Sequence, residues 1–439
     1  MHVSSMENMQ RCHDRYVLGT ELGQAERVTV LDIGAADVNG SYRTIFSDPR
    51  FDYVGADLEA GPNISIVLDD PYVLPLADQS MDIVLSGQML EHCEFFWLAF
   101  AEMVRVLKPG GFIFLIAPSA GPIHRYPVDC YRFYPDAYAA LAKYAGCALV
   151  DVWRDERPAW HDLVGVFSRE PRERIATTPV EALKGSPQAV ERGTPEEEAT
   201  KGDRPYRQAL ADLHGRLTPQ RYIEVGVREG HSLALAECEA VGVDPFPQIT
   251  VTLPTTARVV TMTSDDYFDV TPPDQPFDLA FIDGMHLFEF ALRDFMNLER
   301  RMSPYGMIVI DDILPNHAAQ AERQRKTKVW TGDVWKLAAC LAERRPDLTL
   351  TYLDTHPTGL LLITGLDPKT AVLWGLYNRL LKGGPTREAP PVEFVERGIA
   401  RPSTAESFEP LVETLKSARA KRLKVRAVQA ALKTLNLHG

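Results

Sequence analysis

Cysteine is scarce and unpaired in this chain of 439 residues. Its six cysteines, Cys12, Cys93, Cys130, Cys147, Cys238 and Cys340, form no CxxC pair. That argues against a zinc ribbon, an iron–sulfur cluster or a disulfide framework. There is no apolar run near the roughly 18 residues that span a bilayer. The opening MHVSSMENMQRCHDRY lacks the apolar stretch of a secretory signal. Positive charge is in deficit: the net charge is −13, whereas phosphate contacts demand a basic surface. These absences point to a reducing cytoplasm and to a protein that binds no nucleic acid. Neither G-x-G-x-x-G nor G-x-x-x-x-G-K-[ST] occurs, so the pyrophosphate cradles of dinucleotide and P-loop sites are not encoded.

What is present is globular. Apolar residues make up 45% and charged residues 24%, and a chain this long exceeds one ordinary core, so two domains are expected. Strand-like runs alternate with helical patterns twice. The first series is RVTVLDIG (27–34), DYVGADL (52–58), ISIVLDD (64–70), MDIVLSG (81–87) and GGFIFLIAP (110–118). The second is RYIEVGVREG (221–230), AVGVDPF (240–246), ARVVTMTSDD (257–266), FDLAFIDG (277–284) and GMIVIDD (306–312). Such alternation predicts parallel sheets covered by helices on both faces. Between the series, residues 171–203 are rich in Pro, Thr, Glu and Lys and read as a flexible linker. The expected organisation is a domain at 1–170, the linker, a domain at 204–366 and a helical basic tail at 367–439. The end of that tail, KSARAKRLKVRAVQAALKTLNLHG (416–439), reads as a solvated helix face or docking arm, with peripheral membrane or RNA contact as the other readings. Whether the chain forms a homo-oligomer stays open.

In open parallel sheets, ligands bind beyond the carboxyl ends of strands where the strand order reverses. Two features recur there in both series. One is an acid–x–Gly turn: Asp32 and Gly34 with Gly40 following, and Glu224 and Gly226 with Gly230 and Ser232 following. Glycine lets the backbone approach a ligand closely. The other is an acid closing the next strand, Asp57 and Asp244, suited to the two hydroxyls of a ribose. A ribose-holding acid without a pyrophosphate loop suits a nucleoside cofactor such as S-adenosylmethionine.

On these motifs both halves resemble class I S-adenosylmethionine-dependent methyltransferases, which implies two tandem Rossmann-like doubly wound sheets. The first half, with LDIGA, GADL, LDDPYVLPLADQSMDIVLSGQMLEH and RVLKPGG, resembles the small-molecule methyltransferases of the type 11 group. That resemblance implies that Asp32, Gly34 and Gly40 line the methionine and ribose pocket and that Asp57 holds the ribose. It also implies that Asp69 or Asp70 lies near the adenine and that Gln88 and His92 face cofactor or substrate. Ala36 stands where the usual second glycine of the first loop would be. The second half resembles metal-dependent sugar O-methyltransferases of the macrocin O-methyltransferase type. There Glu224, Gly226, Gly230 and Ser232 form the first loop, Asp244 meets the ribose, and Ser264 and Asp265 lie near the adenine.

Two runs in the second half stop in acid, LAFIDGMH (279–286) and MIVIDDILP (307–315). In this fold the two strands are neighbours, so Asp283, Asp311 and Asp312 open into one cleft. Three converging carboxylates raise one another's pKa unless a cation lies between them. Hard oxygen ligands with room for water and substrate point to Mg²⁺. The resembling family carries metal ligands at these strand ends and a base histidine three residues after the first acid, the place of His286. The other reading has Asp311 and Asp312 capping the following turn and His286 on the surface. Glu289 and Asp294, on the next helix, read as a solvated face.

The first half ends its fifth strand without acid, so no metal site is expected there. Instead GPIHRYPVDCYRFYPDAY (121–138) is dense in polar rings and arginine. His124, Arg125, Asp129, Tyr131 and Arg132 either bind an acceptor, with His124 as base, or belong to a packed hairpin or helix lead-in. In the second half Trp330, Asp333, Trp335, Lys336 and His356 are candidates for contact with a sugar acceptor; core packing explains the tryptophans equally well.

The expectation is therefore a bifunctional methyltransferase. The second domain would O-methylate a sugar hydroxyl with Mg²⁺, and the first would methylate another position without metal. One alternative keeps only the second domain catalytic, with the first binding substrate or forming a dimer. Another, an NAD-dependent oxidoreductase, is disfavoured by the missing pyrophosphate loop.

Overall fold

A computed structural model of the chain describes residues 2–37, 40–183, 193–383 and 389–435. Contacts divide it into two units, one of Met1–Gly185 with Trp374–Lys382, the other of Ser186–Leu373 with Gly383–Gly439.

Among the described residues the first unit holds a seven-stranded sheet. Its strands are β1 (Val28–Ile33), β2 (Phe51–Asp57), β3 (Ile66–Val67), β4 (Met81–Gly87), β5 (Leu107–Pro118), β6 (Ala148–Arg154) and β7 (Asp162–Ser168). Their order is β3-β2-β1-β4-β5-β7-β6. β1 to β5 run parallel, and β7 enters antiparallel between β5 and β6. Strands covered on both faces read as continuous apolar runs, and β4 and β5 do. Along β1, Leu31 and Ile33 join the core that Phe100, Met103 and Leu141 close. Val28 and Val30 join the opposite core, closed by Met9, Tyr16 and Phe46.

The second unit repeats the plan. A short pair, β8 (Arg204–Pro205) with β15 (Thr355–His356), stands apart from the main sheet. That sheet holds β9 (Arg221–Val225), β10 (Glu239–Val243), β11 (Ala257–Val260), β12 (Phe277–Ile282), β13 (Met302–Ile310), β14 (Thr349–Leu353) and β16 (Leu360–Thr364). The order is β11-β10-β9-β12-β13-β16-β14, with β16 antiparallel to both neighbours. In each sheet the chain winds outward from β1 or β9 in one direction and then from β4 or β12 in the other. The crevice at that reversal is where this class of sheet takes ligands. Two doubly wound sheets agree with the reading from sequence. The closing antiparallel pairs, β6 with β7 and β14 with β16, were not legible there, and the strand expected at 64–70 shrinks to two residues.

Residues 171–203 are largely tied down. Arg172 pairs with Glu21 at 3.1 Å and Arg174 with Asp151 at 2.6 Å in the first unit. In the second, Glu198 accepts from the amides of Lys328 and Val329. The remainder of that segment, 184–192, lies outside the described residues.

The tail also divides. Within the helix Val372–Lys382, Asn378 accepts from the Ser4 amide at 2.9 Å and Tyr377 donates to Glu7 at 2.7 Å, so this piece belongs to the first unit. The helices Glu409–Ala420 and Val425–Lys433 belong to the second, where Leu411, Val412, Leu415, Ala418, Val428 and Leu432 are buried against the sheet. The expected solvated arm is instead amphipathic. Its lysines and arginines are mostly exposed, while Arg419 pairs inward with Asp278 at 2.5 Å and Lys433 Nζ donates to Leu348 O at 2.6 Å. No helix among the described residues is long and apolar enough to cross a membrane.

Candidate active sites at the strand ends

β12 and β13 lie side by side in register, Ile282 opposite Ile310, so the residues that follow each strand emerge together. The Asp283 amide donates to Val225 O at 2.8 Å and the Asp311 amide to Ile282 O at 3.0 Å. These bonds extend the ladder one step and fix where the acids begin. Asp312 takes φ +58°, a left-handed conformation that aspartate tolerates better than most residues. A pocket there is lined by Asp283, His286, Asp311 and Asp312 among others.

His286 sits between two of the carboxylates. Its Nδ1 lies 3.0 Å from Asp312 Oδ2 and its Nε2 lies 3.6 Å from Asp283 Oδ1. Nδ1 also meets Trp330 O at 2.7 Å, and the imidazole stacks on the Trp330 ring at 5.2 Å. Gly332 permits this approach: a Cβ at that position would fall 1.7 Å from His286 O. Burial lowers the histidine pKa, but the Asp312 and Asp283 carboxylates outweigh it and hold His286 well above its usual range. Burial, with the charges of Asp283 and Asp312, pushes the Asp311 carboxyl well up. Donor atoms of Asp283, His286 and Asp312 all fall within 4.8 Å of one another, close enough to share one metal ion. Asp311 lines the same pocket outside this trio, its Oδ1 accepting from the Asp312 amide at 2.8 Å.

The turns that follow β1 and β9 share one construction. In the first, Asp57 Oδ2 accepts from the Ala36 amide at 2.9 Å and Oδ1 from the Leu58 amide at 2.7 Å. In the second, Asp244 Oδ2 accepts from the amides of Val227 and Arg228 at 2.9 and 2.8 Å, and Oδ1 from Phe246 at 2.7 Å. The strand-2 acid thus clasps the turn after strand 1. A carboxylate has about four lone-pair sites, so both acids keep capacity for a ligand. The acids at the ends of β1 and β9 are buried beneath these turns. Asp32 accepts from Tyr53 at 2.5 Å, and burial raises its carboxyl to about 7. Glu224 accepts from Ser232 at 2.5 Å and Tyr222 at 2.8 Å, and burial raises it to about 8. Gly34, Gly40, Gly226 and Gly230 all have positive φ. At Gly226 a Cβ would collide with Asp283 O at 1.9 Å, so glycine there brings the turn after β9 against the acidic cluster.

Most of the other candidates in the second unit are held by neighbours. Asp265 is held by Arg293 Nη2 at 2.8 Å. Ser264 bonds to Asp294, which is 2% exposed and not on the expected solvated face; burial raises its carboxyl to about 7. Glu289 is held by Arg323. Asp69 and Asp70 are exposed after β3, with Asp70 Oδ1 accepting from the Tyr72 amide.

Several expected acceptor contacts turn out to be framework. Trp335 is fully buried and packs at an angle to Phe394, so its ring offers no stacking platform. Asp333, 2% exposed, accepts from the Phe288 amide at 2.8 Å and from Arg323 and Lys336. It caps the helix Phe288–Glu299 from a distant loop. His356, in β15, lies outside the pocket lining and meets Thr200 at 3.1 Å. In the first unit Tyr131 donates to Glu94 O. Arg132 is held by Asp129 through both terminal nitrogens, at 2.6 and 2.9 Å. Arg125 is exposed.

Beside β4 the first unit gathers groups that sequence reasoning named only in part. Gln88 donates to Asp162 Oδ1 at 3.0 Å, and burial raises the Asp162 carboxyl to about 7. His92 and His124 meet edge to face at 4.7 Å. Glu91, fully buried beside His92, is raised by burial to about 8. Glu91 was detectable only as the neighbour of His92 in QMLEH. Asp162 opens a strand that the sequence did not announce.

Both halves of the chain match models of known protein families. Residues 20–115 match a family model described as a methyltransferase domain, and residues 223–313 match a second model of the same description. The chain therefore carries two methyltransferase domains. A protein of Mycobacterium bovis (strain BCG / Pasteur 1173P2), described as an uncharacterized methyltransferase, is 38% identical over 98 residues, covering 20% of this chain and 38% of its own. One of Mycobacteroides abscessus, described likewise, is 32% identical over 127 residues, covering 26% and 48%. The chain thus spans less than half the length of these relatives. Among solved structures, the complex of the Haloferax volcanii Trm112 methyltransferase activator with its methyltransferase matches at 18% identity and TM-score 0.29, over 38% of this chain and 93% of that one. Burkholderia thailandensis 1,6-didemethyltoxoflavin-N1-methyltransferase, with S-adenosylhomocysteine bound, matches at 18% identity and TM-score 0.29, over 38% and 84%.

Proposed function

We propose that the chain is a bifunctional S-adenosylmethionine-dependent methyltransferase. In this reading the second unit O-methylates a sugar hydroxyl of a glycan or glycosylated metabolite with Mg²⁺, and the first methylates another position. The observation that carries it is the meeting of Asp283, His286 and Asp312 in one pocket, with the Gly226 turn packed against Asp283.

The donor set fits a divalent ion, since carboxylate oxygens from two strand ends face one pocket. Asp283 and Asp312 would hold Mg²⁺, with Asp311 on the same wall, and Asp244 and Asp57 would each take the ribose hydroxyls of a cofactor. When bound, S-adenosylmethionine supplies an activated methyl group, and Mg²⁺ lowers the pKa of a coordinated hydroxyl. The chain's own work is to orient and to move a proton. Trp330 O fixes the proton of His286 on Nδ1 and leaves Nε2 as the accepting atom. Were Asp283 and Asp312 to hold such an ion, their charge on His286 would be offset, and Nε2 is the atom that would take the proton of the acceptor hydroxyl. Holding acceptor and donor in line contributes on the order of 7–11 kcal/mol in favourable cases.

The test is a mass-shift screen of sugar nucleotides and glycolipid extracts incubated with the full chain, S-adenosylmethionine and Mg²⁺. A methylated sugar that vanishes with excess chelator is the expected result. Undiminished turnover in chelator would refute the metal, and methylation confined to non-sugar acceptors would refute the substrate class.

A further inference from the structure

The first unit holds a cluster of metal-ligating side chains that the reading above does not use. Glu91 and His92 lie in the turn Leu90–His92 after β4, and His124 comes from the loop after β5. One donor atom from each falls within 4.8 Å of the other two. The set escaped the sequence because no acid ends β5; the carboxylate comes from the turn after β4 instead.

Two further observations point to a ligand. Glu91 is 0% exposed, and neither carboxylate oxygen has a hydrogen-bond partner in another described residue. His92 Nε2 lies 3.7 Å from Oε1. A buried carboxylate left this way must be neutralised by a proton or matched by a cation. Its backbone is well used, since Glu91 O accepts from the amides of Cys130 and Tyr131, which fastens the His124 loop to this turn.

The second observation is the state of the imidazoles. His92 Nδ1 lies 2.5 Å from Val128 O. A carbonyl only accepts, so Nδ1 carries the proton and Nε2 presents its lone pair. Metal-bound histidines are ordinarily held in this way, by a backbone carbonyl on the far nitrogen. His124 Nδ1 is buried with no hydrogen bond among the described residues, 3.4 Å from Asp129 Oδ2. Asp129 itself is committed to Arg132 and to the His124 amide, so the cation nearest the cluster is already paired.

We propose that Glu91, His92 and His124 form a binding site for a divalent transition ion of the zinc class. Two imidazoles and one carboxylate favour such an ion over Mg²⁺, and three protein ligands leave a position open to a further group. The site lies after β4, where the first unit's acceptor is expected. Its use in activating that acceptor rests on the first unit's being a methyltransferase; the binding of the ion does not.

The experiment uses untagged, chelator-stripped full chain carrying Asp283→Asn and Asp312→Asn, which disables the second unit's donor set. Co²⁺ is titrated in and followed by visible absorption, with Zn²⁺ as competitor. One equivalent of Co²⁺ should bind with a nitrogen-ligand spectrum and be displaced by Zn²⁺. Adding Glu91→Gln or His92→Ala should abolish that equivalent while far-ultraviolet circular dichroism stays unchanged. If Glu91→Gln does not fold, His124→Ala, at a side chain 38% exposed, makes the same comparison. No bound Co²⁺ on the double variant, or binding that survives loss of both histidines, overturns the proposal. Bound ion without methyl transfer by the first unit would overturn only the role at the acceptor.

Discussion

The Val227 amide donates to Asp244 Oδ2 at 2.9 Å, and in the other unit the Ala36 amide donates to Asp57 Oδ2 at the same 2.9 Å. Two stretches with little sequence in common thus close the first turn on the second strand's acid in the same way. Ala36 does what a glycine would, because only its amide is required.

That equivalence predicts two independent cofactor sites. Asp57→Ala and Asp244→Ala should each weaken one S-adenosylmethionine site by roughly 10- to 100-fold, the scale of losing hydrogen bonds to a charged group. Isothermal titration of the full chain should resolve two equivalents, with each variant removing one. A single equivalent in the parent, lost only with Asp244→Ala, would leave the first unit without a cofactor.

His286 separates base from ligand. As the base, its replacement by alanine should lower kcat by roughly 10²- to 10⁴-fold, with Mg²⁺ and S-adenosylmethionine affinities within a few-fold of the parent. Single-turnover rates and Mg²⁺ titrations measure the two effects separately. A collapse of Mg²⁺ affinity instead would make His286 the ion's third ligand, in line with its place between Asp283 and Asp312.

The tail helix Glu409–Ala420 is structural in its apolar face and in Arg419, which pairs with Asp278, and the exposed charges around it are dispensable. Leu415 is fully buried in the second unit's core, so Leu415→Ala should cost about 2–5 kcal/mol, a transfer term plus a cavity. Neutralising the exposed Lys421 should change stability by less than about 0.5 kcal/mol. Urea denaturation of both variants is the check; a tolerated Leu415→Ala would restore the reading of a loose arm.

Much of this was legible because parallel strands covered on both faces must be apolar throughout. RVTVLDIG and FDLAFIDG announce themselves, and the acid that follows each is conspicuous against the run. The residues that escaped owe their roles to long-range packing. Asp333 resembles a surface polar group in KVWTGDVWKL yet caps a helix 45 positions earlier. Trp335 carries the same signal as a stacking platform and is core. Asp294 lies among the polar positions of an amphipathic helix, and only the fold brings Ser264 to it. Glu91 is masked by lying beside a histidine that drew the attention.

Asp294 gives a pH test with a definite sign. Its carboxyl is raised by burial to about 7 from an ordinary 3.8. Between those values the folded chain keeps a proton that the unfolded chain releases, so stability falls as pH rises through that window. The limiting slope for one group is about 1.4 kcal/mol per pH unit. Asp294→Asn keeps the shape and removes the titration. Across pH 5 to 7 the variant should lose about 2 kcal/mol less stability than the parent by urea denaturation. Asp32, raised to about 7, and Glu224, raised to about 8, act in the same direction, so a residual decline should persist in the variant. Identical slopes in parent and Asp294→Asn would mean that Asp294 is ionised in the fold, its charge met by the arginine that also holds Asp265.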